Sequence, residues 1–164
     1  MFLKYVAVAA LTLVAAPSFA ATPIAWSIYQ NDRYGYEIAI PPGFRGQGEP
    51  DAHDGQVFNT ADGKAELTVW GGFLVDTTLA DDFTNGKGDH MGKGWSITYQ
   101  AATPGWTSYS GTRAQQVLYV REITSCSGQQ FATFEFTYPS TSINAMKPVV
   151  EKLVGSLKQD ACPD

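Results

Sequence analysis

The sequence has little of what reaction chemistry usually employs. It holds two cysteines and two histidines in 164 residues. The cysteines, Cys126 and Cys162, stand far apart, with no CxxC spacing and no histidine beside them, which argues against a structural zinc site. No Gly-x-Ser-x-Gly elbow occurs, so the strand–turn–helix nucleophile of an α/β-hydrolase is absent. No Asp-x-Asn/Asp-x-Asn/Asp-Gly run closes on a Glu, which excludes an EF-hand. "GKGDHMGKG", Gly86 to Gly94, has the glycines of a phosphate loop but not their order. Gly92-Lys93 is followed by Gly94, and position 87, where the first glycine belongs, is Lys87. Basic charge is also scarce, with 11 Lys and Arg against 16 Asp and Glu and a net charge of −5. Nucleic acid and anionic membrane both repel such a chain.

Long apolar runs are missing except at the N-terminus, "MFLKYVAVAALTLVAAPSFA". Lys4 supplies a short positive region and Tyr5 to Ala16 an apolar one, which Pro17 breaks. Ser18-Phe19-Ala20 is a small-x-small cleavage signal. The pattern predicts a signal peptide over residues 1–20, cut between Ala20 and Ala21. The run is short for a membrane span, and no transmembrane segment is expected after cleavage. Residues 21–164 then form one domain, able to bury roughly two thirds of its unfolded surface without a metal. The expected location is periplasmic, or secreted. An even cysteine count in an exported chain predicts a disulfide, with two buried thiols or a metal pair as the alternatives.

What is abundant is β pattern. Tyr36, Ile38 and Ile40 alternate with Glu37 and Ala39, and Pro41-Pro42-Gly43 stops the run. A shorter strand is expected over Ile24 to Tyr29. Gln56 to Asn59 and Glu66 to Trp70 flank Asp62-Gly63, a hairpin turn. Ser96 to Ala101, Thr107 to Gly111, Gln115 to Thr124 and Gln129 to Tyr138 follow. In the last, Ala132, Phe134, Phe136 and Tyr138 share an apolar face, and Phe131, Thr133, Glu135 and Thr137 a mixed one. Thr77 or Thr78 caps a short helix to Phe83, which Gly86, Gly88, Gly92 and Gly94 are expected to fray into a mobile loop. Met146, Val150, Leu153 and Leu157 form one stripe of a terminal helix. Its start is expected near Lys147 or Pro148, because proline suits a first helical position. The last strand covers about 33 Å, and the helix returns roughly 16 Å of that. The preceding turn and the tail Gln159-Asp160-Ala161 can span the remainder, so Cys162 can reach the hairpin that carries Cys126.

Three segments carry a resemblance. "NDRYGYEIAIPPGF" is similar to the opening strand of the PsbP-like and Mog-type fold, "DGQVFNTADGKAELTVWGG" to its central hairpin, and "SCSGQQFATFEFTYPSTSINAMKPVVEKLVGSLK" to its last strand and terminal helix. Together they resemble small uncharacterised proteobacterial exported proteins. The resemblance implies an α+β sandwich, mainly antiparallel sheet, with a middle helix and a C-terminal helix packed on it. The fold's members include a photosystem-associated lumenal protein and a Ran-binding factor, which implies a binding or assembly module rather than a shared enzyme class.

The remaining chemistry is thin. Asp51, His53 and Asp54 could join Asp89 and His90 as oxygen and imidazole ligands for Zn or Mn, but their spacings match no ligand motif, so the expectation is solvated loops. Trp95 and Trp106 flank strand ends and are candidates for lining a groove for glycan or peptide, against core packing as the alternative. The overall expectation is an exported, non-catalytic binding or assembly module without a cofactor, its partner another periplasmic or envelope protein. The competing expectation is a metal-dependent or other hydrolase using His53 and His90.

Overall fold

The computed structural model describes residues 25–162; the expected signal peptide and the start of the expected first strand lie outside them. Strand β1 (Ser27–Asn31) pairs antiparallel with β2 (Tyr36–Ile40), and the short C-terminal strand β10 (Lys158–Gln159) pairs with the other edge of β2. The larger sheet has seven strands. They are β3 (Phe44–Gly46), β4 (Gly55–Thr60), β5 (Glu66–Phe73), β6 (Ser96–Thr103), β7 (Trp106–Arg113), β8 (Gln116–Ser125) and β9 (Gln130–Pro139), in the spatial order β3-β4-β5-β9-β8-β7-β6. All its pairings are antiparallel. Helix α1 (Leu79–Gly92) and helix α2 (Ile143–Ser156) lie on opposite faces of this sheet. The mainly antiparallel α+β sandwich expected from the sequence is the observed fold.

The apolar face anticipated on β9 is the centre of the core. Phe134 and Phe136 have no solvent exposure, and neither do Leu67 and Val69 on β5, Tyr36 and Ile38 on β2 or Leu153 on α2. Period-two alternation aims these strand residues at one side, and α2 and the small sheet close over them. Leu153→Ala is therefore expected to cost about 3 kcal/mol, the usual loss for truncating a sealed leucine. Urea unfolding checks it; a loss below about 1 kcal/mol would mean α2 is not sealed against the sheet.

Two helix boundaries differ from expectation. The glycines do not fray α1, which runs through Gly86 and Gly88 to Gly92 and turns off at Gly94, φ 88°. Each interior glycine costs about 1 kcal/mol relative to alanine, but the two ends and one face are anchored. Thr78 is the cap: its Oγ1 accepts from the Asp81 N–H (3.2 Å), and the Asp81 carboxylate accepts from the Thr78 N–H (3.1 Å). Leu79, Phe83 and His90 pack toward the sheet, where the Phe83 and Tyr109 rings meet edge-on at 5.6 Å. The second difference is α2, which begins at Ile143, after a 3-10 turn at Ser140–Ser142, so Pro148 lies inside it. Proline removes one donation to the i−4 carbonyl, and the buried stripe of α2 outweighs that loss.

The tail settles the cysteines. Cys126 and Cys162 are joined, with Cα atoms 5.4 Å apart. The Gln159 side chain accepts from the Cys126 N–H at 3.1 Å, and the Asp160 N–H donates to the Gly35 carbonyl at 2.8 Å. Gly35, at φ +56°, is where the tail crosses the β1–β2 turn, and a Cβ there would stand 2.0 Å from the Ala161 carbonyl oxygen. Among the described residues, no helix is long and apolar enough to cross a membrane.

Candidate functional site

The sheet face under α1 is the mixed face of β9. Register aligns Trp70, Thr133, Glu122 and Thr107 in one row across β5, β9, β8 and β7. The next row is Thr68, Glu135, Val120 and Tyr109. Above these rows α1 contributes Asp82, Phe83 and His90. Helix and sheet do not close completely, and a cavity of about 190 Å³ remains between them.

His90 is the pivot. It is buried, and its Nε2 lies 2.5 Å from Glu135 Oε1. Its Nδ1 lies 2.9 Å from the Gly86 carbonyl oxygen and 2.9 Å from the Tyr109 hydroxyl. The hydrogen bond to Glu135 raises the imidazole above its usual value and outweighs the burial that opposes it. A protonated ring donates Nε2–H to Glu135 and Nδ1–H to Gly86, one turn back on the same helix. Burial pushes the Tyr109 hydroxyl far up, so it stays protonated.

Glu122 is the second unusual group. It is 4% exposed. Its Oε2 accepts from the Thr107 hydroxyl at 3.1 Å, and the carboxyl also meets the Asp82 carboxyl and the Thr133 hydroxyl in side-chain hydrogen bonds. Desolvation first, then the neighbouring Asp82 carboxyl, pushes Glu122 up to about 8. At neutral pH it is therefore largely a neutral carboxylic acid.

The residues singled out from the sequence scatter. Asp51 and His53 are exposed in the loop before β4; His53, at φ 49°, pairs with Glu49 at 3.0 Å. The Asp54 carbonyl accepts from the Tyr36 hydroxyl at 3.0 Å. Asp89 is exposed on α1, and His90 makes its contacts with Gly86, Tyr109 and Glu135, not with the His53 loop. Among the described residues, no three His, Cys, Asp or Glu side chains converge as metal ligands. Trp95 is 6% exposed and packs with Tyr109, Leu118 and Val120, with the Arg113 guanidinium 4.6 Å over its ring. Trp106 is half-buried, and the Arg121 guanidinium covers it at 3.9 Å. Trp95 is thus packed in the core under α1, and one face of Trp106 is occupied by Arg121.

Of the expected site residues, His90 and the exposed Asp89 line this cavity; Asp82, Tyr109, Glu122, Thr133 and Glu135 were not singled out. One signal was readable. In β8, Leu118 and Val120 set an inward phase, and Glu122 continues it, so a charged residue stands at a core position.

No family model and no curated protein matches the chain. Solved structures do. The solution structure of the PsbP protein of the cyanobacterium Synechocystis sp. PCC 6803 superposes with a TM-score of 0.65 at 15% identity, over 90% of this chain and 98% of that one. The Ran-binding protein Mog1p of Saccharomyces cerevisiae superposes with a TM-score of 0.61 at 12% identity, over 83% of this chain and 96% of that one. At such identities the likeness is one of fold: the chain has the PsbP-like, Mog-type α+β sandwich.

Proposed function

We propose that this chain is an exported, non-catalytic binding or assembly module of a proteobacterial envelope. In this reading the signal peptide over residues 1–20 is removed and 21–164 act as one domain in the periplasm or outside the cell. The observation that carries it is the state of the histidines. Both nitrogens of the His90 ring are engaged by Gly86, Tyr109 and Glu135, and His53 is held by Glu49 on a separate loop. A hydrolase using both histidines needs them in one site, and nothing in this arrangement brings the His53 loop to His90. The disulfide is compatible with an oxidising compartment. Fold likeness adds that at least one protein of this architecture is described as binding another protein, Ran.

The test has two arms. Protein isolated from the periplasm is expected to begin at Ala21 and to cross-link to a specific envelope protein. A panel of hydrolase substrates is expected to show no turnover, with or without added Zn or Mn. Turnover that His90→Ala abolishes would overturn the reading.

A further inference from the structure

The two ends of the large sheet are finished differently. Strand β3, at one end, has three residues and carries Arg45. Strand β6, at the other, has eight, and none of them is charged or proline. Among the described residues β6 pairs only with β7, so its outer edge presents unpaired backbone N–H and C=O groups. The register shifts between Ile97 and Tyr99, and residues 99–103 then pair regularly with β7. Proteins ordinarily blunt a long edge with charge, proline or a covering element. Here Tyr99 is 48% exposed, and Gln100, Ala102 and Thr103 are exposed beside it. Charge is segregated as well. Between Asp89 and Glu122 the sequence has no acidic residue, while Lys93, Arg113 and Arg121 are basic.

Both faces beside that edge have room for side chains. On the α1 face a groove of about 430 Å³ runs along β6, lined by Lys87, Met91, Ile97, Thr98, Tyr99 and Gln100. Met91 is 57% exposed there. Lys87, the one charged residue of the groove, bonds the Gln100 side chain at 2.7 Å. On the opposite face Ala101, Ser108 and Arg121 form one row across β6, β7 and β8. The two small side chains leave a trough from the edge toward the Arg121 guanidinium. The Trp106 ring and the Ser108 hydroxyl, at 3.2 Å, brace that guanidinium, which forms no ion pair among the described residues.

We propose that the free edge of β6 receives an extended acidic segment of a partner protein as a further strand of the sheet. The proposal rests on the reading of the chain as a binding module and names the chemistry of its partner. The edge selects a polypeptide, because its donors and acceptors repeat at strand spacing. Alternation sends successive side chains to the two faces. Apolar ones enter the groove beside Met91 and Ile97, and carboxylates point along the row toward Arg121. The basic balance around the edge selects an acidic partner and disfavours a second copy of this chain, which would bring its own Lys87 and Arg121 against these.

The probe is the peptide acetyl-Glu-Val-Glu-Val-Glu-Ile-Glu-amide, titrated into the full exported chain by NMR at low salt. Saturable shifts are expected at residues 99–103 and along the groove, with a dissociation constant below about 1 mM. Hydrogen exchange at the edge amides should slow as the peptide saturates. The same peptide N-methylated at every residue keeps its carboxylates but cannot donate along the edge. It is expected to bind at least about tenfold more weakly, and so is the peptide with Lys in place of each Glu. Arg121→Gln is expected to weaken the acidic peptide about fivefold and to leave the Lys peptide no weaker. The comparison of the three peptides on the wild type tests the proposal without any variant. A dissociation constant above about 1 mM, equal binding of the N-methylated or the Lys peptide, or shifts at β6 that grow with the concentration of the chain alone, the mark of a second copy, would overturn it and leave the binding-module reading intact. Recovery of cleaved acidic peptide would instead overturn that reading while leaving the edge site standing.

Discussion

Glu122→Gln is expected to unfold about 10 °C above the wild type at pH 9 and at the same temperature as the wild type at pH 5. The cause is proton linkage. Glu122 holds its proton more tightly in the folded chain, at about 8, than its ordinary 4.5. The folded state thus binds more protons than the unfolded state between those values, and stability falls as pH rises. The contribution is complete below about 4.5 and is lost as pH climbs through about 8. Its size is on the order of 3 kcal/mol. For a domain of this length that is roughly 10 °C. The carboxamide of Gln has the shape of the protonated acid and never ionises, so the variant escapes the loss. His90 adds a second, smaller slope of the same sign. Glu135 raises it, so its stabilisation is present below about 6.5 and fades as pH passes its higher folded value. Calorimetric melts of both proteins from pH 5 to 9 check this. Parallel curves would show that Glu122 ionises as freely in the fold as in water.

Cys126→Ser with Cys162→Ser is expected to lower stability by about 4 kcal/mol and to detach the tail. The bridge closes a 36-residue separation, and that figure is the chain-entropy value for such a loop. The local consequence is more specific. Strand β10 contributes only two pairings to β2, Lys158 with Glu37 and Gln159 with Tyr36. Two ladder pairs cannot hold a strand unaided, so the covalent link and the Asp160–Gly35 hydrogen bond keep it in place. Hydrogen exchange at Gln159 and Asp160 should rise sharply in the variant, while Phe134 and Phe136 at the sheet centre should still exchange only by global unfolding. Mass spectrometry without reductant should find the native chain lighter by two hydrogens than the dithiol. Two free thiols, or unchanged exchange in the tail, would refute the role given to the bridge.

Much of the fold was readable because alternation is a local property. The pairing of β4 with β5 about Asp62-Gly63 (Gly63 at φ 66°) and the two faces of β9 follow from spacing alone. The errors at α1 and α2 share one origin. Glycine and proline penalties are intrinsic and local, whereas the burial that overrides them is contributed by strands distant in the chain. Leu153 on α2 and His90 on α1 each gain their environment from the sheet, and no window around Gly86 or Pro148 contains that information.

The candidate site divides the same way. By itself the sequence determined the mainly antiparallel strands with a terminal helix, the apolar seam of Phe134 and Phe136, and the reach that lets Cys162 meet Cys126, because these depend on periodicity and chain length; the sandwich was what the resemblance implied. Only the tertiary structure decided that His90 leaves His53 and meets Glu135, forty-five residues away, and that Glu122 lies across from Asp82. Strand register places one side chain opposite another, and helix docking then seals them from water. Such a cavity is a property of two surfaces meeting, and neither surface exists in the chain until both elements have folded.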